Sequence, residues 1–465
     1  MKNNPNLLMT YYGDDFTGST DSMEALTING VKTVLFLDVP DKNLIEERFP
    51  HVQAFGIAGV GRTMSPAQME TELKVILEQL QQFHAPIIHY KICSTFDSSP
   101  EVGSIGKVID ICLEVDTTQS SIPLLVGCPF LKRYTVFGNH FATVGDQTYR
   151  LDRHPTMSKH PTTPMQEADL KIHLSKQTSK KIDLFNLLDL EIAEEILTRH
   201  YKQKSMENDA IIFDVVNEQQ MERIGRLLWE CSKEGNHFVI GSSGIQYALT
   251  NHWKRQQIIS NAESLLSTRN LTPQQTLVVS GSCSPVTKDQ IEWSLENGFK
   301  GIKISTEELL QPNKETEIYN QSLEEAIHLI RQGENVVIYT SLGPEDTSIA
   351  ATKNILLALG ENPAHTGRLI GEKLGRLTKE IVSKSNLKRL VIAGGDTSGY
   401  ATKELGIYGL EMIMPIAPGG PLCRSYSEDS KFDGLEISLK GGQVGTSNYF
   451  GIVRDGVRVS VDSFK

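Results

Sequence analysis

No C-x-x-C pair occurs in this chain, and its six cysteines, Cys93, Cys112, Cys128, Cys231, Cys283 and Cys423, lie far apart. Zinc-site spacing is therefore missing, and a disulfide framework is not expected. No apolar run approaches the roughly 20 residues of a membrane span. Leu7–Tyr12 is too short a core for a signal peptide. A reduced, cytoplasmic protein without membrane association is expected. A basic surplus is lacking too: 46 Lys and Arg against 57 Asp and Glu leave a formal charge of −11, which argues against a nucleic-acid surface. The dinucleotide fingerprint G-x-G-x-x-G and the nucleophile elbow G-x-S-x-G are absent from any suitable context, which opposes a dehydrogenase. His89, His140, His154 and His160 match no metal motif, so solvated or structural roles are expected and no protein metal site.

What is present is an α/β alternation. Hydrophobic content of 39% and charged content of 22% over 465 residues are ordinary for a globular chain of two or three domains. Short apolar strands are expected at Leu7–Tyr12, Thr33–Leu37, Val52–Ala58, Ile87–Lys91, Leu124–Gly127, Ile211–Val215 and Phe238–Gly241. Helices are expected at Pro66–Phe83, with Ser65 as N-cap, and at Asn217–Glu234. A polar insert from Tyr134 to Pro164 breaks the rhythm and reads as a long loop of the kind that forms lids. Polarity rises again from Asn251 to Gln275, giving two α/β domains, 1–255 and 275–465, with mainly parallel sheets and an active-site cleft between them. The second domain opens with the strand Thr276–Ser280, followed by strands at Gly301–Ile304, Val336–Tyr339, Leu390–Ala393 and Glu411–Ile416.

Three segments of the first domain carry chemistry. Gly13–Asp21 holds three Asp and three hydroxyl residues directly after the first strand. Asp14 and Asp15 could divide labour, one accepting a hydroxyl proton and the other binding substrate hydroxyls or orienting Mg²⁺; the plain alternative is a turn with a helix cap. Gly56–Thr63 has P-loop spacing with Arg62 where a P-loop needs Lys, so Arg62 reads better as a carboxylate clamp. Lys91, Ser94, Thr95 and Asp97 offer charge and hydroxyl contacts to a polyhydroxy acid, whereas Cys93 lacks a nearby base and reads as packing.

In the second domain, glycine turns recur at strand ends. Gly394-Gly395-Asp396-Thr397-Ser398-Gly399 follows the strand Leu390–Ala393 and precedes a helix expected from Tyr400 to Leu405. Such a turn suits phosphate, because glycine lets backbone approach and the helix N-terminus offers unpaired N–H groups. Ser280-Gly281-Ser282, Gly419-Gly420-Pro421 and Lys440-Gly441-Gly442 are weaker signals of the same type. Nucleotide is thus expected in the second half and a polar substrate in the first.

Taken in order, these residues resemble the four-carbon acid sugar kinase family, over essentially the whole chain. The family's Asp-Asp-x-Thr-Gly-x-x-Asp is matched by Asp14, Asp15, Thr17, Gly18 and Asp21, and its C-terminal marks by Ser280–Ser282, Gly394–Gly399, Gly420-Pro421 and Lys440–Gly442. The resemblance implies a sugar-acid-binding N-terminal domain and an ATP-binding C-terminal domain, with Mg²⁺ bridging the phosphates. The implied activity is phosphorylation of a terminal hydroxyl of a small sugar acid. On that basis Asp14 and Asp15 are the catalytic candidates. Arg62, Lys91, Ser94, Thr95 and Asp97 are the substrate candidates. Ser280, Ser282, Gly394, Gly395, Asp396, Thr397, Ser398, Gly420, Gly441 and Gly442 are the nucleotide candidates. One departure stands out: the family's Lys-x-Asp-Ser-Thr-Leu-Arg-Gly reads Lys91-Ile92-Cys93-Ser94-Thr95-Phe96-Asp97-Ser98 here. Losing an Arg and gaining an Asp argues against plain threonate or erythronate. With the Arg150–Pro155 insert, the chain looks more like the 3-oxo-isoapionate kinase subgroup, where Arg150 or Arg153 would restore the positive charge. The alternative is a sugar-acid and nucleotide sensor without turnover. A homodimer is left as an option.

Overall fold

A computed structural model describes residues 6–460 apart from 161, 234 and 261–269. The start of the chain, Pro161, the expected helix end at Glu234 and the middle of the expected linker lie outside the described residues. The chain divides into two compact units, Met1–Leu265 and Leu266–Phe464. Among the described residues, no helix is long and apolar enough to cross a membrane.

The first unit is built on β1 (Met9–Gly13), β2 (Thr33–Phe36), β3 (Ala54–Ala58), β4 (Ile87–Lys91) and β5 (Ile122–Leu125). After the hairpin strands β6 (Arg133–Val136), β7 (Asn139–Val144) and β8 (Gln147–Arg150) come β9 (Ile182–Phe185), β10 (Ala210–Phe213) and β11 (His237–Gly241). The main sheet runs β2-β3-β1-β4-β11-β5-β10-β9, parallel throughout. Every residue of β1 and β4 is buried, as expected for strands covered by helices on both faces. The chain enters at β1, which lies between β3 and β4, so the direction of winding reverses there. In open α/β sheets such a reversal opens a crevice at the carboxyl edge. Register puts Gly13 opposite both Ala58 and Lys91, and Lys91 opposite Gly241. The segments beginning at Asp14, Gly59 and Ile92 therefore leave the sheet side by side.

The insert differs from the expected loop. It folds as a three-stranded antiparallel sheet, β6-β7-β8, whose strands are mostly part-exposed and so lack a continuous apolar run. The Asp214 carboxylate, just beyond β10, anchors its first turn by accepting the N–H groups of Phe137 at 2.6 Å and Gly138 at 2.9 Å. The expected helix after Ser65 forms with a capping box to Gln68, but it widens into a π-turn at Met69–Leu73 before continuing at Lys74–Gln81.

The second unit contains β12 (Thr276–Ser280), β13 (Phe299–Lys303), β14 (Asn335–Tyr339), β15 (Arg389–Ala393), β16 (Ile407–Ala417), β17 (Gly420–Ser427) and β18 (Glu436–Lys440). Its order is β13-β14-β12-β15-β18-β17-β16, parallel from β13 to β18 and antiparallel in the last two pairs. Val278, Val337, Val391, Met414 and Phe450 are among the residues closing its core. The winding again reverses at the first strand, β12. Ser280 pairs with Tyr339 and Ala393, and Ala393 with Lys440, so the turns after β12, β15 and β18 leave one edge together.

Candidate functional site

In the first unit, Asp14 and Asp15 lie where β1 passes into the helix Phe16–Ile28. Asp15 caps that helix, its Oδ1 accepting Gly18 N–H at 2.7 Å. The cap reading and the functional reading therefore hold for one residue at once. Asp14 is buried, while the Asp15 side chain is 30% exposed. Arg62 reaches both: Nη2 and Nε donate to Asp14 at 2.7 and 3.2 Å, and Nη1 to Asp15 at 2.7 Å. Its own N–H donates to Asp14 O at 2.8 Å, which locks Gly61–Thr63 as a 3₁₀ turn against the end of β1. A P-loop does not form, because the following helix starts only after Ser65.

Lys91 is buried at the end of β4, with Nζ 3.2 Å from Asp21 Oδ2. The carboxylates and cations crowd around Gly18: a Cβ there would lie 2.5 Å from Asp15 Oδ1 and 3.2 Å from Lys91 Nζ. Asp21 belongs to this cluster as the partner of Lys91. The sequence marks it as the last Asp of the family's opening motif, without a role of its own. Arg62 and Lys91, the expected cations of the substrate site, are each paired with carboxylates.

Burial pushes the Asp14 carboxyl up to about 6, with Asp15 adding to the rise and Arg62 opposing it. Burial works against the charge on Arg62, but Asp14, Cys93 and Asp15 more than offset it, so its pKa rises. Lys91 is raised too, burial being outweighed by Asp21 and Asp14.

The segment after β4 is a hydroxyl chain. Cys93 Sγ lies 2.9 Å from Thr95 Oγ1, which donates to Asp97 at 2.7 Å. Burial pushes the Cys93 thiol up to about 11, so it is no ready nucleophile. Ser94 contributes its carbonyl, 2.8 Å from His140 Nε2 on β7. His140 is buried, and its Nδ1 lies 3.0 Å from Thr135 Oγ1; its role is structural. Arg150 is not free either. Its guanidinium pairs with Asp152, Nε to Oδ1 at 2.8 Å, while Arg153 is exposed.

In the second unit a hollow of about 460 Å³ is lined by Gly281–Pro285, Thr366, Gly367, Ile370, Gly394–Thr397, Gly442 and Gln443. It brings together Ser282, Gly394, Gly395, Asp396, Thr397 and Gly442 of the expected set. The expected six-residue turn shrinks to one residue: Gly394 alone precedes the helix, which runs Gly395–Glu404 rather than starting at Tyr400. Its first N–H groups have no intrahelical acceptor, and the residues that carry them, Gly395–Thr397, line the hollow. Gly394 has φ +121°, and a Cβ on it would sit 3.0 Å from Thr397 Oγ1. A Cβ on Gly442 would sit 2.7 Å from Ser282 Oγ.

The remaining expected residues sit apart from the lining. Ser280 is buried in β12, its Oγ accepting Ser282 N–H. Ser398 Oγ donates to Ile392 O at 3.3 Å inside the helix packing. Gly420 begins β17 and accepts the Tyr449 hydroxyl at 2.8 Å on its carbonyl. Gly441 precedes the lining residue Gly442. A second hollow of about 660 Å³ shares Gly281, Cys283, Thr366 and Ile370 with the first and extends over Thr340–Ser341, Pro344–Ala350 and Thr352. Sequence reasoning missed Thr366, Gly367 and this extension, which no glycine motif marks. Among the described residues, no three His, Cys, Asp or Glu side chains gather as a metal site.

Comparison with known proteins supplies the family. A model described as a sugar-binding N-terminal domain matches residues 9–249, and one described as a nucleotide-binding C-terminal domain matches 277–450. Over 450 residues the chain is 42% identical to the 3-oxo-isoapionate kinase of Paraburkholderia graminis, covering 97% of this chain and 94% of that one. It is 26% identical over 452 residues to the 3-oxo-tetronate kinase of Pseudomonas savastanoi pv. phaseolicola, covering 96% and 97%. A crystal structure of a Haemophilus influenzae protein shares the fold, with a TM-score of 0.72 over 97% of this chain and 100% of that one at 23% identity. With both domain models matched in order and relatives aligned nearly end to end, the chain belongs to the four-carbon acid sugar kinase family.

Proposed function

We propose that the chain is an ATP-dependent kinase acting on a terminal hydroxyl of a small sugar acid, with 3-oxo-isoapionate favoured over four-carbon acids such as 3-oxo-tetronate. The observation that carries the kinase reading is the hollow where the turns after β12, β15 and β18 converge on a helix N-terminus. A polyphosphate fits such an edge because backbone N–H groups and the dipole meet its charge without a cation cluster. The preference for 3-oxo-isoapionate rests on the 42% identity to a kinase of that name and on Cys93 and Asp97 in place of the family's Asp and Arg.

In this reading Asp15, the more exposed carboxylate, orients the attacking hydroxyl and accepts its proton. Asp14 holds Arg62 in place. Arg62 spends three of its five N–H donors on Asp14 and Asp15, which leaves two for the carboxylate of the substrate. Lys91 and the Thr95–Asp97 hydroxyl chain bound the rest of the sugar. Mg²⁺ would enter with ATP: the hollow offers the single carboxylate Asp396, which fits a metal held mainly by phosphate oxygens and water. When bound, the metal neutralises charge on the transferring phosphoryl group.

A coupled assay of ADP release across four- and five-carbon sugar acids, 3-oxo forms included, is expected to give the highest kcat/KM with 3-oxo-isoapionate. ATP binding without ADP release on any acid would favour the sensor reading instead. Gly394→Ala is expected to raise KM for ATP by about tenfold or more, since an L-residue is strained at positive φ and its methyl crowds Thr397. An unchanged KM would remove Gly394 from the nucleotide site.

A further inference from the structure

Lys440 ends β18 and is 1% exposed. Its surroundings tie it to both walls of the nucleotide hollow. Its carbonyl accepts the N–H of Gly394 at 2.9 Å. Its Nζ donates to Thr287 Oγ1 at 3.2 Å, and that hydroxyl donates to Gly442 O at 2.8 Å. Ser284 Oγ donates to the same carbonyl. One chain of hydrogen bonds thus runs from the buried amine to the backbone of a residue lining the hollow.

The charge on this amine has no carboxylate partner among the described residues. The helix Tyr449–Asp455 turns the rings of Tyr449 and Phe450 toward it, each centroid 5.9 Å from Nζ. The titratable group among these is the Tyr449 phenol, whose hydroxyl is taken up by Gly420 O and Ser438. The helix Pro285–Glu296 contributes Thr287; of its charged residues, Lys288 and Glu292 pair with each other, and Asp289 and Glu296 are exposed. Arg454 and Asp455 likewise pair with each other. Neighbouring β15 presents Ala393, while its Arg389 pairs with Glu436 at the opposite end of the strand. The carboxylate of the hollow itself is Asp396.

We infer that Lys440 is a positioning residue that takes up a proton from solvent when a nucleotide polyphosphate enters the hollow, and so couples nucleotide binding to pH. This rests on the nucleotide reading above. Burial lowers the Lys440 amine to about 7, so above that pH the empty protein holds it largely as R–NH₂. Negative charge arriving in the hollow, beyond Thr287 and Gly442 from an amine in apolar surroundings, favours R–NH₃⁺. The amine then donates more strongly through Thr287 and firms the Gly442 turn against the phosphates. The aromatic faces of Tyr449 and Phe450 receive the cation without a carboxylate that would compete with the nucleotide.

Calorimetric titration with MgADP at pH 8, in two buffers of different ionisation enthalpy, tests this. The native protein is expected to take up a substantial fraction of one proton per nucleotide, since an amine lowered to about 7 is mostly neutral at pH 8. Lys440→Arg carries a fixed charge, so it should bind within about tenfold of native without uptake. Lys440→Met should also lose the uptake and bind about tenfold or more weakly. If the Arg variant fails to fold, the near-isosteric Met variant carries the same attribution. Binding of native protein with buffer-independent heat would overturn the inference, as would uptake persisting in either variant. No binding heat at all would instead overturn the nucleotide reading beneath it.

Discussion

Asp15→Asn is expected to lower kcat by about 10²–10⁴-fold, the usual worth of a positioned general base, with the fold intact. Asn caps helices as well as Asp does, so the bond from Gly18 N–H survives the change. What is lost is the carboxylate that Arg62 Nη1 meets at 2.7 Å, and with it the base proposed above. Turnover near the native value, with melting unchanged, would exclude Asp15 as an essential base. The pH profile separates its role from that of Asp14. Burial pushes Asp14 up to about 6, and the Asp15 charge adds to the rise. Native log(kcat/KM) should therefore fall with decreasing pH below about 6. Removing the Asp15 charge takes away one of the contributions that raise Asp14, so the acid limb of the variant's residual activity should move to lower pH. A limb that stays fixed or moves upward would show that Asp14 does not set it.

Arg62→Met should act on stability as much as on activity. The variant leaves Asp14 buried without its bidentate partner, and stranding one half of a buried pair costs about 3 kcal/mol at the low end of such cases. The low end applies because the Arg62 side chain is 22% exposed. The sign with pH follows from Asp14. Its folded pKa, already about 6, rises further without the guanidinium, while in the unfolded chain it ionises near the ordinary value of about 3.9. Between those two values the unfolded state binds fewer protons, so stability falls as pH rises. The deficit relative to native should thus be small near pH 4 and largest above the folded pKa of the variant. Urea denaturation across that range measures it. A deficit constant with pH would mean that Met fails by packing rather than by leaving a charge unpaired. Sugar-acid KM should rise in parallel, since the donors left for the substrate carboxylate disappear.

Much of this was legible in the sequence because parallel strands are apolar throughout. β1, β3, β4, β12 and β15 could be found from runs such as Leu390–Ala393, and the residues after each run marked the sheet edge where ligands gather. β17 and β18 escaped for the opposite reason. Gly420-Pro421 reads as a turn, and Glu436-Ile437-Ser438-Leu439-Lys440 alternates polar with apolar, as strands in antiparallel pairings often do. β9 is a short stretch with Asp183 inside it. The motif at Gly394 was read as a loop because glycine, Asp, Thr and Ser favour turns, yet the same residues favour the first turn of a helix. The pairing of Arg62 with Asp14 and Asp15 depends on a meeting of strand ends nearly fifty positions apart, which no local pattern encodes. Lys440 looked like a companion of two glycines. Only burial reveals it as an amine without a carboxylate.

The 2.8 Å contact between His140 on β7 and the carbonyl of Ser94 means that the hairpin insert and the segment after β4 are built as one piece. On the proposed substrate site, exchanging preference with a relative is then a matter of two grafts, not one. A transplanted 93–98 stretch would arrive without the imidazole that holds its backbone, and a transplanted hairpin would grip a loop shaped for another partner. In the history of such enzymes, the two stretches would be expected to travel together.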